Sequence, residues 1–441
     1  MNFIKTLLKR ILPANWLYQY HKTLVKYAAW RYRYPSNKLI VIGVTGTKGK
    51  STASNLIWHV LTKAGYNVGL ATTVNFKIGN NTWLNDTKMT MLGRTQLQKL
   101  LADMVKAGCT HAVIETSSEG IKQFRHLGIT YDCVVFTNLF PEHLDAHGGF
   151  ENYKQAKLDL FRYLATCPVK TINHKPILKG AVINGDSEYA TEFFQAANVP
   201  NKIVWAEHEL ENLSVTLPVS DVQEQPNGLL FTVGSYELFS NLLGRWNIEN
   251  VLSALGVGTY CGLSLPAMAD SLTNFHGVPG RMELIEAGQN FTVIVDYAYE
   301  PRSLTLLYEF WRKRISKDKK IITLISSTGG GRDKSRRLEN GQVAGKLCDY
   351  VIVTDEDPYD DDPLTIINEV AAGVQQGGKI ENETFWKIQN RYKAIKQACS
   401  LAQAGDVVIL PCKGAEQKMC LAKGKKIDWD DREVVKDILN Q

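Results

Sequence analysis

Apolar and polar positions follow two rhythms along this chain, and the switches between them predict its elements. Short unbroken apolar runs read as buried parallel strands at Leu39–Val44, Val68–Ala71, His111–Glu115, Cys133–Thr137 and Gly180–Ile183. Between them apolar residues recur every three or four positions, which predicts helices such as Ser51–Ala64, Arg94–Ala107 and Asn152–Tyr163. That alternation predicts a doubly wound, mostly parallel α/β sheet that binds ligands at the carboxyl ends of its strands. From about Lys202 to Leu243 the rhythm becomes short alternating runs broken by Pro218-Val-Ser-Asp221 and Gln225-Pro-Asn-Gly228, which predicts a small antiparallel sheet. Helix returns at Asn247–Cys261.

Past Gly277-Val-Pro-Gly280, apolar runs at Val293–Val295, Ile321–Ile325, Tyr350–Val353 and Val407–Leu410 predict a second, Rossmann-like α/β unit. The expected division is therefore a helical segment at 1–38, a central domain at 39–276 and a C-terminal domain at 277–441. The helical segment has its own pattern. Phe3, Ile4, Leu7, Leu8, Ile11 and Leu12 recur at helical spacing around Lys5, Lys9 and Arg10, and Pro13 ends that helix. A second helix, roughly Trp16 to Tyr32, carries Trp16, Tyr20, Tyr27 and Trp30.

Composition changes little in this picture, but charge does. The 441 residues are 44% hydrophobic and 22% charged, ordinary for a globular protein with ample core. No run approaches the length of a membrane span. The eight cysteines contain no Cys-x-x-Cys pair, and Cys133, Cys348 and Cys412 lie in or beside apolar runs. Buried, reduced thiols of a cytoplasmic protein are expected, and no zinc site. Net charge is +6, yet residues 1–38 hold eight Lys/Arg and no Asp or Glu, leaving the rest near −2. A chain-wide nucleic-acid-binding surface is therefore not expected. The basic aromatic segment suits either peripheral contact with the inner face of a membrane through residues 1–36 or a helical hairpin packed on the body.

The chemistry centres on Gly43-Val-Thr-Gly-Thr-Lys-Gly-Lys-Ser-Thr52. A strand, a glycine loop and a helix N-terminus together cradle a polyphosphate, because backbone N–H groups and the helix dipole favour an anion. Lys50 can reach the β/γ-phosphates of ATP or GTP, and Ser51 or Thr52 can hold Mg²⁺. Glu115 stands at a strand end, where it can meet Ser51 around that ion. Asn138, His143, Asp145 and His147 crowd one loop, a pattern for metal binding or proton transfer. Lys157 reads by spacing as an exposed helix lysine.

Taken in order, these motifs resemble the Mur ligases, ATP-dependent amino acid–peptide ligases of cell-wall synthesis, and within them the branch that adds the third peptide residue. The resemblance runs from about Val41 to Glu433. It includes Thr45-Gly-Thr-Lys-Gly-Lys-Ser-Thr52, Glu115-Thr-Ser-Ser118, the Thr137–Gly148 loop, Ala156-Lys157 and Gly244-Arg-Trp-Asn-Ile-Glu-Asn250. It continues with Gly277-Val-Pro-Gly-Arg-Met-Glu283, Asp296-Tyr-Ala-x-x-Pro301, Gly330-Gly-Arg-Asp-Lys334, Asp357-Pro358, Lys413-Gly-x-Glu416 and Asp431-Arg-Glu433. In the family the loop takes the form Thr-Gly-Thr-x-Gly-Lys-Ser-Thr, which accounts for its short spacing here.

The resemblance implies roles that spacing does not. Gly46, Thr47, Lys48, Gly49, Lys50, Ser51 and Thr52 would bind ATP, with Asn247, Asn250, Arg281, Asp296 and Tyr297 at the nucleotide. Ser51, Glu115, His143 and Lys157 would hold Mg²⁺, Lys157 after carbamylation by CO₂. Lys50, Lys157 and His143 would be catalytic. Ser117, Ser118, Gln123 and Arg125 would bind the acceptor dipeptide, and Arg332, Asp357, Pro358, Lys413 and Glu416 the remaining substrate. The implied reaction passes the γ-phosphoryl to a carboxylate and lets an amine attack the acyl phosphate, with both α/β domains closing near Gly277–Gly280 to exclude water.

Departures from the family matter. Only about 38 residues precede the loop strand, where tripeptide synthetases carry a domain that grips the uridine nucleotide, so a UDP-linked or a lipid-linked acceptor is open. The diaminopimelate-selecting Asp-Asn-Pro-Arg is Glu356-Asp-Pro-Tyr359 here, without the arginine clamp. The acidic runs Asp355-Glu-Asp357 and Asp360-Asp-Asp362 would suit a cationic, lysine-like amino acid or would simply be solvated. Lys413-Gly-Ala-Glu416 also lacks that branch's histidine, and Tyr299 stands where the family usually has His. Beside the muropeptide ligase stand two alternatives: the same chemistry on a lipid-linked or polyglutamate-type acceptor, and a non-catalytic P-loop scaffold at the membrane.

Overall fold

The computed structural model describes residues 14–142, 147–331 and 334–441. The chain divides into two compact units, Met1–Trp83 with Thr87–His276, and Leu84–Asp86 with Gly277–Gln441.

The first unit is built on an eleven-stranded sheet of order β13-β12-β11-β10-β9-β6-β1-β5-β2-β3-β4. Its parallel centre comprises β1 (Ile40–Thr45), β2 (Val68–Ala71), β5 (His111–Glu115), β6 (Cys133–Phe136), β9 (Gly180–Asn184) and β10 (Asn201–Ala206). The hairpin β3 (Asn75–Ile78) and β4 (Asn81–Leu84) extends one edge, and β11 (Leu217–Gln225), β12 (Gly228–Val233) and β13 (Tyr236–Ser240) extend the other. These last three are antiparallel among themselves, as the alternation predicts. They are not a separate sheet, because β11 pairs in parallel with β10 at Trp205↔Leu217 and Ala206↔Pro218. The hairpin β7 (Lys170–Ile172) and β8 (Lys175–Ile177) stands apart.

Helices α1 (Ala14–Arg31), α2 (Lys50–Lys63), α3 (Arg94–Lys106), α4 (Ser118–Lys122), α5 (Phe150–Thr166), α6 (Ala190–Ala196), α7 (Ile248–Tyr260) and α8 (Leu265–Thr273) connect and cover the strands. The strands are apolar on both faces because helices pack on both. One core gathers Leu97, Leu101, Met104, Phe136, Phe161 and Phe193, with Phe136 stacked on Phe193 at 3.8 Å. Each such side chain contributes about 1.5–3 kcal/mol by leaving water. Register then sets the site: Val44 lies opposite Glu115 on one side, and Thr45 opposite Phe136 on the other. The carboxyl ends of β5, β1 and β6 therefore finish side by side.

The second unit carries a six-stranded sheet of order β14-β15-β19-β16-β17-β18. Its strands are β14 (Glu283–Leu284), β15 (Thr292–Val295), β16 (Ile321–Ile325), β17 (Tyr350–Val353), β18 (Phe385–Lys387) and β19 (Val407–Leu410). All but β14 run parallel. A small hairpin, β20 (Lys418–Cys420) with β21 (Lys426–Asp428), follows. The helices are α9 (Pro301–Arg314), α10 (Ser335–Leu347), α11 (Pro363–Gln376), α12 (Arg391–Leu401) and α13 (Asp431–Leu439). Helices α10 and α11 approach closely through glycines: a Cβ on Gly341 would strike the Val370 carbonyl, and one on Gly373 the Leu338 carbonyl. Buried Arg391 clamps Asp431 with two hydrogen bonds of 2.8 and 2.6 Å, tying α12 to α13. All eight cysteines are free thiols, seven of them buried.

Candidate active site

In the first unit β1 runs into the glycine loop and the loop into α2. Gly49 has φ +79°, and a Cβ there would overlap the side chain of Asn250. A Cβ on Gly46 would overlap the Thr137 hydroxyl. Only glycine fits either position. The loop is stapled to the end of β6: Thr47 N–H donates to Asn138 O at 2.9 Å, Lys48 N–H to Asn138 Oδ1 at 2.8 Å, and Thr137 Oγ1 to Lys48 O at 2.9 Å. Lys50 Nζ donates to Thr47 O at 2.8 Å, and Thr52 is buried in the first turn of α2.

Ser51 Oγ donates to Glu115 Oε2 at 2.8 Å, joining α2 to the end of β5. The Glu115 carboxylate is held further by Thr73, whose N–H and hydroxyl donate to its two oxygens at 2.8 and 3.0 Å. Lys157 comes from α5. Its position by spacing suggested an exposed lysine, but it is 1% exposed. Its Nζ donates to Gly46 O at 2.6 Å and sits 4.5 Å over the Tyr153 ring. Burial pushes its ammonium well below the usual lysine range, the Lys50 cation pushes it further, and Glu142 and Glu115 oppose both. His147 lies buried with its ring edge-on to Tyr153; burial, with Lys122 and Lys157, lowers its pKa. His143 and Asp145 lie outside the described residues.

Beside this cluster, Asn250 Nδ2 donates to Asn247 Oδ1 at 2.7 Å, while Asn250 Oδ1 is buried without a partner. Ser117 caps α4 by accepting from Gly120 N–H, and Ser118 is buried. Gln123 and Arg125 are joined by a 2.6 Å hydrogen bond. Arg94 donates to Gln123 O at 2.8 Å; burial lowers the pKa of the Arg94 and Arg125 guanidiniums, the Arg125 charge lowers Arg94 further, and Glu119 opposes the shift at Arg125. Neither Thr73 nor Arg94 stood out in sequence. A Thr after a strand and an Arg opening a helix carry no motif of their own.

The residues fit a magnesium nucleotide. Ser51 and Glu115 are hard oxygen donors, the glycine loop runs into the N-terminus of α2, which favours an anion, and Asn250 Oδ1 is buried without a partner.

The second unit holds its own cluster. Asp296, half-buried, accepts from Met282 and Ala298 N–H at 2.6 and 2.7 Å; desolvation raises its pKa, against Arg281 and the backbone donors. The Arg281 guanidinium lies 4.1 Å over the Tyr297 ring. Tyr297 OH donates to Glu416 Oε1 at 3.4 Å. Buried Lys413 Nζ donates to Glu416 Oε2 at 3.2 Å, to Asp357 Oδ1 at 3.4 Å and to Lys418 O at 3.1 Å. Carboxylate oxygens of Glu356, Asp357 and Glu416 come within 4.8 Å of one another. Burial, and then the Asp357 charge, push Glu356 up to about 7. Buried Pro358 holds the turn, accepting from Asp361 N–H at 3.1 Å. Arg332 lies outside the described residues.

The second acidic run is not one solvated patch. Asp360 accepts from Lys423 N–H, Asp361 pairs with Arg337, and Asp362 caps α11 through Thr365 N–H at 2.9 Å. Those three carboxylates stitch the unit together.

A glycine loop on a doubly wound sheet, with a Ser–Glu pair at its mouth and a second α/β unit following, defines a P-loop nucleotide-binding protein. The Mur ligase middle domain matches residues 44–258, and the Mur ligase glutamate ligase domain matches residues 280–414. The UDP-N-acetylmuramyl-tripeptide synthetase of Roseiflexus sp. (strain RS-1) is 38% identical over 415 residues, 92% of this chain and 80% of that protein. A UDP-N-acetylmuramoyl-L-alanyl-D-glutamate–2,6-diaminopimelate ligase of Trichormus variabilis is 35% identical over 95% of this chain and 81% of its own length. A solved structure of such a diaminopimelate ligase superposes with a TM-score of 0.61 at 30% identity, covering 94% of this chain and 82% of that one. The chain belongs to the Mur ligase family and is an ATP-dependent acid–amino-acid ligase of peptidoglycan precursor synthesis.

Proposed function

We propose that the chain activates the carboxylate of a UDP-linked muramoyl dipeptide with ATP and joins it to a lysine-like amino acid. The observation that carries this reading is the Ser51–Glu115 pair at the mouth of the glycine loop, with Lys157 buried against the Gly46 carbonyl. The loop from Gly46 to Thr52 binds the phosphates, with Lys50 at the transferring phosphoryl group. Ser51 and Glu115 hold Mg²⁺, which when bound neutralises charge on the polyphosphate.

Lys157 joins that donor set as a carbamate. The ammonium first gives up one proton; the freed Nζ lone pair then forms a bond to the carbon of CO₂ as a C=O π pair moves onto oxygen, and a second proton leaves the nitrogen to solvent, so a cation becomes a carboxylate-like ligand. His143 holds a second Mg²⁺. Asn247, Asn250, Arg281, Asp296 and Tyr297 contact the nucleotide. Ser117, Ser118, Gln123 and Arg125 bind the acceptor, where the paired arginine charges suit an anion.

The preference for a lysine-like amino acid rests on charge. Three carboxylates, Glu356, Asp357 and Glu416, gather around the Lys413 cation, with the Arg391 charge also acting on Glu356, and this concentration of acid favours a substrate with a second amine. Tyr359 in place of an arginine removes the clamp for a second carboxylate. The UDP carrier is the one that the relatives' names print. Dependence on ATP puts the reaction in the cytoplasm, and no helix among the described residues is long and apolar enough to cross a membrane.

The test is phosphate release measured with UDP-muramoyl dipeptide crossed with lysine, ornithine and diaminopimelate. Release should require both substrates and favour lysine or ornithine. A preference for diaminopimelate would overturn the amino-acid assignment. Release with neither substrate would overturn the ligase reading of the site.

A further inference from the structure

We propose that the outward face of α1 docks on an anionic lipid bilayer. Sequence left this helix two alternatives, a packed hairpin or a membrane segment, and the structure gives it two different faces. Val25, Ala28 and Ala29 point inward at 1%, 2% and 3% exposure, with Val25 against Gly128, and Arg94 bonds to His21 at 2.8 Å. That side fixes the helix to its unit. The opposite side carries Tyr20, Leu24, Tyr27 and Trp30 at 57%, 36%, 58% and 60% exposure, and Tyr34 follows at 47%. Positions 20, 24, 27 and 30 recur at three- and four-residue spacing, so these side chains share one side of the helix.

A water-facing helix side normally carries charge and small polar groups. Here large aromatics with polar tips occupy it, interleaved with exposed Lys26, Arg31 and Arg33. That is the composition of an interfacial helix, whose rings settle at the headgroup level while its cations meet anionic lipid. Charge complementarity selects the partner: residues 1–38 hold eight Lys/Arg and no acidic residue, so the surface met must be anionic. A second copy of the chain fits less well. The 18 residues of α1 span about 27 Å, and one face of that length offers roughly 300 Å², well under the ~800 Å² per partner of a stable interface.

The experiment is co-sedimentation of the full chain with phosphatidylglycerol vesicles and, separately, phosphatidylcholine vesicles, at low and high salt. Binding is expected to phosphatidylglycerol alone and to fade with salt. The double variant Lys26→Gln/Arg31→Gln should bind about 25-fold more weakly, about fivefold per charge. Tyr20→Ser/Tyr27→Ser/Trp30→Ser should lose sedimentation while keeping wild-type phosphate release, which reports intact folding. No binding to phosphatidylglycerol, equal binding to both lipids, or unchanged binding by both variants would overturn the proposal. So would a dimer in light scattering that Trp30→Ser dissolves.

Discussion

Each unit buries one lysine in its candidate site, and the two are held in opposite ways. Lys413 is surrounded by opposite charge, with Asp357 and Glu416 both within 3.4 Å of its ammonium. Lys157 meets a carbonyl, an aromatic ring and the repelling cation of Lys50. In the Lys413 cluster the strain of burial falls on an acid, Glu356, pushed up to about 7. Beside the glycine loop it falls on the lysine itself, whose pKa drops. Set between carboxylates, Lys413 organises them by ion pairs. Buried beside the Lys50 cation, with Glu142 and Glu115 only partly opposing, Lys157 is biased toward its neutral amine. The same residue type therefore serves two chemistries, and its neighbours decide which.

The largest effect should come from removing the compensated cation. Lys413→Ala removes a buried cation from between Asp357 and the half-buried Glu416, a loss of about 3–5 kcal/mol. Calorimetry should show the transition of the second unit lowered or lost while that of the first unit stays. A change under about 1 kcal/mol would mean that water already solvates the cluster.

Lys157→Ala should leave folding largely intact and lower ligation by roughly 10²–10³-fold, the usual cost of removing one electrostatic group from a reaction centre. Added formate or acetate should restore part of the rate by standing in for the carbamate. Wild-type turnover in the variant would remove Lys157 from the mechanism, and loss without rescue would argue for a lysine acting as a plain cation.

The contrast between these lysines was only partly legible in sequence. Strand–helix alternation and the Gly46–Thr52 spacing located the parallel sheet and its phosphate loop, because periodicity and glycine placement are local signals. The burial of Lys157 was not local. It depends on α5 crossing under the loop so that Nζ reaches Gly46, and a helix lysine between polar neighbours gives no hint of that. Family resemblance marked the residue, where physics read from spacing alone put it in water. The Glu115 brace from Thr73 and the Gln123 contact from Arg94 were missed for the same reason: each joins elements 29 to 42 positions apart. In the second acidic run, charge alone suggested a single function. Asp360, Asp361 and Asp362 instead do three separate structural jobs, each set by where its own partner folds.

Glu356 sharpens the comparison through pH. Its ordinary value is 4.5 and its folded value about 7, so between those limits the folded state holds a proton that the unfolded state has released. Stability from this group is full below about 4.5 and falls as pH rises through 7, by roughly 3 kcal/mol. Glu356→Gln, which keeps an acceptor for Ser326, should gain on wild type across that window and level off above it. A difference curve flat from pH 4 to 8 would mean that Glu356 is ionised in the folded protein and that Lys413 compensates all three carboxylates.

The smallest effect tests whether position on α5 or burial makes Lys157 what it is. Lys154 lies one turn earlier on the same helix, and its ammonium pairs with Glu192 at 3.0 Å and Glu151 at 3.2 Å near the surface. Both partners are largely in water, so Lys154→Ala should cost less than about 1 kcal/mol and leave ligation unchanged. If Lys154→Ala slowed ligation as much as Lys157→Ala, with no rescue by acetate in either, the shared cause would be a shift of α5 against the glycine loop. The loss at Lys157 would then be mechanical, and the buried amine would have no chemistry of its own. If only Lys157→Ala slows it, three residues of separation on one helix divide a solvated ion pair from a metal-site ligand.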